Sequence, residues 1–137
     1  MEIRTATPEM VIVKLYEGAL RFIRNARGHQ EAGQIAARAT AISRALAIVN
    51  ELQHSLNLQD GGEVARNLDA LYFYVTDRLL DANVRGSIGS LDEASSILTT
   101  LNEAWVEIAR RPRGVEDSAA GQAALEAASL RARASVE

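Results

Sequence analysis

Cysteine is absent from this 137-residue chain, which removes disulfides, thiolate nucleophiles and cysteine-ligated zinc together. Only two prolines and nine glycines interrupt it, leaving room for long helices. Lys14 is the single lysine, and acidic residues outnumber basic ones 18 to 15. The cationic excess with which a nucleic-acid binder neutralises phosphates is therefore missing, and no nucleic-acid partner is expected. No apolar run approaches the roughly 18 residues of a membrane helix, and the N-terminus lacks a basic-then-apolar signal. No membrane insertion is expected, and a cytoplasmic location is the default. Alanine, leucine and arginine, all good helix formers, are plentiful. With 47% apolar and 24% charged residues, the length suits one hydrophobic core.

Thr7 followed by Pro8 is a helix-start signature, an N-cap hydroxyl with proline at the first helical position. It predicts a first helix over residues 8–26, with Gly28 as its stop. A second is predicted over 31–56, followed by a turn at 57–62 (Asn-Leu-Gln-Asp-Gly-Gly). A third covers 63–84. A fourth covers 91–110, capped by Ser90, with Asp92 and Glu93 in its first turn favouring the helix dipole. Pro112 and Gly114 end it. The remaining tail, 112–137, is alanine-rich and has few large apolar groups, so it reads as weakly ordered or a marginal helix. The division expected is a helical unit over 1–111 and a tail over 112–137.

Each predicted helix carries an apolar line at three-four spacing. The first lines up Ile12, Tyr16, Ala19, Ile23 and Ala26; the second Ile35, Ala39, Ile42, Leu46, Val49 and Leu56. The third lines up Val64, Leu68, Leu71, Val75, Leu79 and Ala82; the fourth Leu91, Ala94, Leu98, Leu101, Trp105 and Ile108. Short connections favour antiparallel neighbours, so the expected fold is all-α, an antiparallel up-down-up-down four-helix bundle. Apolar residues exceed what those seams need. Val13 and Leu20 widen the first helix, Ile48 and Leu52 the second, while Phe73, Leu80 and Val84 project opposite the seam of the third. Exposed apolar stripes of this size mark a partner surface, a self-association contact or a covering tail.

Catalytic and metal-binding patterns were weighed against plainer readings. Glu51 and His54 have Glu-x-x-His spacing, but a di-iron bundle needs two copies and inward-facing geometry; a surface pair is the better reading, and no metal is expected. His54 as the phosphoryl acceptor of a histidine phosphotransfer bundle is an alternative, weakened by the lack of a lysine after it. His29 reads as solvated. Gly61-Gly62 opens a helix without a Walker-type lysine. The arginines at 110, 111 and 113 complement the negative end of the fourth helix. No nucleophile and base stand at catalytic spacing, so no catalytic residue and no cofactor are expected. A plain homo-oligomerisation bundle is a further alternative.

Several stretches resemble one family. Thr5-Ala6-Thr7-Pro8-Glu9 leads into Leu15-Tyr16-Glu17-Gly18-Ala19-Leu20-Arg21-Phe22-Ile23; Ile48-Val49-Asn50-Glu51-Leu52 precedes Leu56-Asn57. Gly61-Gly62-Glu63-Val64-Ala65 with Asn67-Leu68 is followed by Leu71-Tyr72-Phe73-Tyr74, Arg78-Leu79 and Asp81-Ala82-Asn83, and Ala104-Trp105 closes the pattern. In this order, over residues 5–110, they resemble the FliS flagellin export chaperones. The resemblance stops short of the longer, tyrosine-bearing N-terminal segment of that family, and Phe73 stands where its members usually carry a polar residue. It implies a non-enzymatic chaperone that binds the disordered C-terminal segment of flagellin, blocks premature polymerisation and delivers the subunit to a component of the flagellar export gate. A monomer or weak homodimer is expected. The client surface, taken from periodicity, is Val13, Leu20, Ile48, Leu52, Phe73, Leu80 and Val84, with Arg78 and Asn83 as polar partners of the client backbone. Leu15, Tyr16, Leu68, Tyr72 and Trp105 are assigned to the core.

Overall fold

The computed structural model describes residues 7–56, 58, 61–110, 115–134 and 136, with the backbone alone for 115–120. These residues form five α-helices and no strand: α1 (Pro8–Glu31), α2 (Ile35–His54), α3 (Gly62–Arg85), α4 (Ile88–Arg110) and α5 (Val115–Ala134). The start of α1 is as predicted, with the Met10 amide donating to the Thr7 hydroxyl at 3.2 Å and Pro8 in the first turn. Residues 1–6, residues 57, 59 and 60 of the turn expected at 57–62, and the stop expected at 112–114 lie outside the described residues.

Helices α1 to α4 form a ring of neighbours, α1 against α2, α2 against α3, α3 against α4, and α4 back against α1. The backbones of α1 and α3 do not approach, nor do those of α2 and α4. The centre is filled by the predicted seams. Ala19, Ile23 and Ala26 of α1, Leu68, Leu71, Val75 and Leu79 of α3, and Leu91, Ala94, Leu98 and Leu101 of α4 are all buried. Tyr16 and Tyr72 reach across the ring from α1 and α3 and join their hydroxyls at 2.5 Å. Both are fully buried, and burial pushes Tyr72 up to about 12 and Tyr16 well above its ordinary value.

The structure departs from the sequence expectations at four places. Gly28 does not stop α1; it stays helical, and the left-handed turn falls at Gly33 (φ 72°). A lone glycine costs a helix only about 1 kcal/mol against alanine, too little to end it while the next amides still find their carbonyls. Ser87, not Ser90, caps α4: the Ser90 amide donates to the Ser87 hydroxyl at 3.1 Å. Ser90 is itself buried and donates to Asp81 at 2.6 Å. With α4 starting at Ile88, Asp92 and Glu93 leave its first turn and bond sideways, Asp92 to Arg27 of α1 and Glu93 to Tyr74 of α3.

The seam of α2 is rotated. Ile35 is 66% exposed, whereas Arg38, Ala41, Ala45 and Leu52 are buried with Ile42 and Val49. Alanines let neighbouring backbones close in, so the small side chains rather than the large ones face the centre. Finally, the tail is a packed helix. Leu125, Ala128 and Ala132 of α5 join the core, and α5 lies against α3 and α4. Alanine and leucine give it helix propensity, and existing apolar groups on α3 and α4 supply the burial that the tail lacks on its own.

Candidate functional site

Phe73, Leu80 and Val84 sit seven and four residues apart on one outward line of α3, and are 63%, 49% and 84% exposed. Ile35 is the exposed large hydrophobic residue of α2. Arg38 of α2 donates to the Asn83 carbonyl near the end of α3 and, on the same pair of helices, Gln53 donates to Asp69. Ile35, at the start of α2, is therefore at the same end of the molecule as Val84.

The other sequence-predicted residues are not part of that line. Val13 and Leu20 are half-buried, and seven residues beyond Leu20 comes Arg27, whose guanidinium donates to Asp92 of α4 at 3.0 Å. Their line therefore borders α4 rather than α3. Ile48 is half-buried against α1, where its Cδ1 lies 3.2 Å from the place a Cβ on Gly18 would occupy. Gly18 is thus what allows α1 and α2 this close approach. Leu52 is 1% exposed and belongs to the core. It is not surface in this structure, because the rotation of α2 turns it toward the centre.

Arg78 is occupied by its own surroundings. It pairs with Asp77 at 2.6 Å, lies 3.7 Å from Glu93 and sits 5.5 Å from the Tyr74 ring centroid. Its hydrogen bonds to the Asp77 carboxylate raise the pKa of Arg78, and the bond that Tyr74 donates to Glu93 raises that of Tyr74. Asp81 is held below the usual carboxylate value, chiefly by the Ser90 hydroxyl and further by Arg85 and Arg78. The Asn83 side chain is half-buried, and its carbonyl is engaged by Arg38. Arg78 thus belongs to a charged edge between α3 and α4, separate from the apolar line.

At the opposite end of the molecule from Val84 is an apolar depression of about 200 Å³. Ile12 of α1, Leu52 and Leu56 from the end of α2, Val64 and Leu68 of α3, Trp105 of α4 and Leu125 of α5 line it. Tyr72 forms part of the wall, and the Trp105 Nε1 is buried near the Tyr16 hydroxyl. Sequence reading missed this depression because its walls come from five helices, each contributing core-like residues. It also missed Arg38, 7% exposed and bonded to Gln30 and to the Asn83 carbonyl. A signal was present: Arg38 stands four residues before Ile42 and seven before Ala45, on a line otherwise apolar.

His54 is exposed on the last turn of α2, with its Nδ1 2.9 Å from the Asn50 carbonyl. Glu51, three residues before it, is also exposed. Among the described residues no group of three or more His, Cys, Asp or Glu is placed to hold a metal, and no helix is long and apolar enough to cross a membrane.

Residues 1–112 match the family described as flagellar protein FliS. The chain is 36% identical to the flagellar secretion chaperone FliS of Salmonella typhimurium over 107 residues, which is 77% of this chain and 79% of that protein. It is likewise 36% identical over 104 residues to the flagellar secretion chaperone FliSB of Pseudomonas aeruginosa, 76% of this chain and 82% of that one. To the flagellar secretion chaperone FliS of Bacillus subtilis it is 31% identical over 111 residues, 81% and 82% of the two chains. The family match ends just before α5 begins.

Proposed function

Because the chain belongs to the FliS family of flagellar secretion chaperones, a family of chaperones and not of enzymes, we propose that it binds the C-terminal segment of flagellin in the cytoplasm. Bound there, the segment is kept from polymerising and is handed, still unfolded, to a component of the flagellar export gate. The observation that carries this reading is the exposed line of Phe73, Leu80 and Val84 on a helix whose other face already supplies the core. A client that orders as it binds loses conformational entropy, and burying amphipathic segments on apolar helix faces offsets that loss.

The reading takes α1 to α4 as an up-down-up-down antiparallel bundle over residues 1–111, with 112–137 as an appended segment. Cross-helix pairs support that direction. Arg38 meets Asn83 while Gln53 meets Asp69, so numbers rise along α2 as they fall along α3. Ser90 meets Asp81 while Glu93 meets Tyr74, giving α3 and α4 the same opposition. The client surface combines the α3 line with Val13 and Leu20 at the α1 edge and Ile48 between α1 and α2. Asn83 serves as a polar neighbour of the α3 line, while Leu52, buried in the core, and Arg78, paired with Asp77 and Glu93, are left out of the surface. The working unit is a monomer or weak homodimer.

The test is binding of the protein to flagellin from the same genome, full-length and lacking its C-terminal segment, by calorimetry. Loss of binding on removing that segment is expected. Undiminished affinity for the shortened flagellin would overturn the reading.

A further inference from the structure

Charge is unevenly placed around the ring of helices. Between Gly18 and Asn50 stand five arginines and a single carboxylate, Glu31, in a chain of net charge −3. Glu31 is paired with Arg27 at 3.1 Å, and Arg38 is buried. Arg21 of α1 and Arg44 of α2 are exposed, and neither has a carboxylate within ion-pair reach among the described residues. Their guanidiniums share one aromatic ring instead, 5.7 and 5.9 Å from the centroid of the half-buried Phe22. Each gains from the negative face of the ring, yet two like charges held near each other without a counter-ion repel. Arg21 also reaches the close approach of the two helices: its Nη2 is 3.9 Å from the place a Gly18 Cβ would occupy, which Ile48 borders as well. On the same α1/α2 face is an open concavity of about 300 Å³, with Phe22, Ala37 and Ala41 as its apolar lining and Arg44, Asn25 and Thr40 among its polar groups. Among the described residues α5 leaves this face free, since its backbone approaches α3 and α4 but not α1 or α2.

We propose that this α1/α2 face docks an acidic segment of a second protein. A carboxylate of that segment meets the guanidiniums of Arg21 and Arg44 and relieves their repulsion, while one apolar side chain enters the concavity beside Phe22. The partner is acidic because the face offers cations and no unpaired anion of its own. It is a protein rather than a nucleic acid, because two arginines neutralise too few phosphates for a chain that is acidic overall. Exposed ion pairs contribute little by themselves, so the apolar anchor supplies the remainder and makes the face selective. The proposal does not draw on the client reading. Helices α1 and α3 are not neighbours in the ring, so Phe22 and the outward line of α3 face different ways, and the two surfaces are free to be occupied together.

The test adds a synthetic helical peptide, with glutamates flanking a single phenylalanine, to the full-length isotope-labelled protein and follows amide shifts by NMR. Shifts are expected within residues 18–29 and 37–48 and not within 73–84. Arg44→Glu and Arg21→Glu, both at exposed positions, should each weaken the peptide by about fivefold or more while leaving the thermal midpoint nearly unchanged. Added salt should weaken it as well. An absence of shifts, shifts spread over the other arginines, or unchanged affinity in both variants overturns the proposal. Alanine in place of the peptide's phenylalanine should remove most of the affinity; equal affinity would reveal charge attraction without a docking site and overturns it too. A single-stranded oligonucleotide, or vesicles rich in phosphatidylserine, binding as tightly through the same residues would overturn the assignment to a protein partner. When the C-terminal segment of flagellin is added, the shifts around Phe22 should persist, and their loss refutes simultaneous use of the two surfaces. If flagellin does not bind at all, the client reading fails, whereas this surface is judged on the peptide alone.

Discussion

The Tyr16–Tyr72 pair offers the sharpest check on how the bundle is held. Its hydroxyls meet at 2.5 Å with Tyr16 at 0% and Tyr72 at 1% exposure, so either one alone would be a polar group buried without a partner. Tyr16→Phe or Tyr72→Phe should each cost about 1–3 kcal/mol, because the lost bond is compounded by the stranded hydroxyl. The double variant should cost clearly less than the sum of the singles, since it strands nothing. A double-mutant cycle by urea unfolding, followed by fluorescence of Trp105, the single tryptophan, reads the coupling directly. The pair also makes a pH prediction. Burial raises Tyr72 to about 12 and Tyr16 well above 10, so the folded state retains protons that the unfolded chain releases. Stability is therefore unaffected by this pair below pH 10 and falls as pH rises beyond it, by roughly 1 kcal/mol per pH unit for Tyr72 up to about pH 12. Tyr72→Phe should flatten that slope. Additive single variants, or an alkaline slope unchanged by Tyr72→Phe, would refute the claim that these hydroxyls are sealed together in the core.

Two further outcomes probe the surface and the turn between α3 and α4. Leu80→Asp should weaken flagellin binding by more than about 1 kcal/mol while moving the thermal midpoint little, because Leu80 is half exposed and outside the core; a collapsed melt would place it in the core instead. Gly86→Ala should destabilise by about 1–3 kcal/mol in denaturant unfolding, since Gly86 caps α3 at φ 66° and a Cβ there would meet the Gln30 amide at 2.8 Å and Arg38 Nη1 at 3.1 Å; an unchanged midpoint would show that this corner yields freely.

The helices themselves were legible because periodicity is local. The lines through Tyr16 and Ile23, Leu68 and Leu79, and Leu91 and Leu101 give the core faces of α1, α3 and α4, and all six residues are buried. The outward line of Phe73, Leu80 and Val84 followed from the same arithmetic. Periodicity failed on α2, where a hydrophobic count favours Ile35 over Ala41 and Ala45. Packing instead chose the small residues, so the interior edge of α2 shifted and carried Leu52 inside. It failed for the tail as well, since the burial that stabilises α5 comes from Val64, Trp105 and Ile108, far away in sequence. Boundaries slipped where one residue type had two possible roles. Serine at 87 and at 90 can each cap a helix, and only the bond from Ser90 to Asp81 shows why the second is an interior position.

Arg38 connects the core to the outward line on α3. It is buried, yet it donates to a glutamine side chain and a backbone carbonyl rather than to a carboxylate. A buried cation is costly unless its surroundings supply compensating negative charge. Here that charge is the C-terminal end of α3, where the final carbonyls concentrate the negative pole of the helix dipole. Arg38 therefore fixes α2 against the last turn of α3 through a polar contact that is specific in position, where alanines alone would let the helices slide. Val84 is one residue past the carbonyl that Arg38 holds, and Gly86, two residues further on, has no side chain to crowd it. The exposed apolar line thus ends on a backbone segment held rigidly from inside. A surface held in this way can remain apolar and solvent-facing without reorganising, because the interactions that fix its geometry are not the ones it offers to a partner.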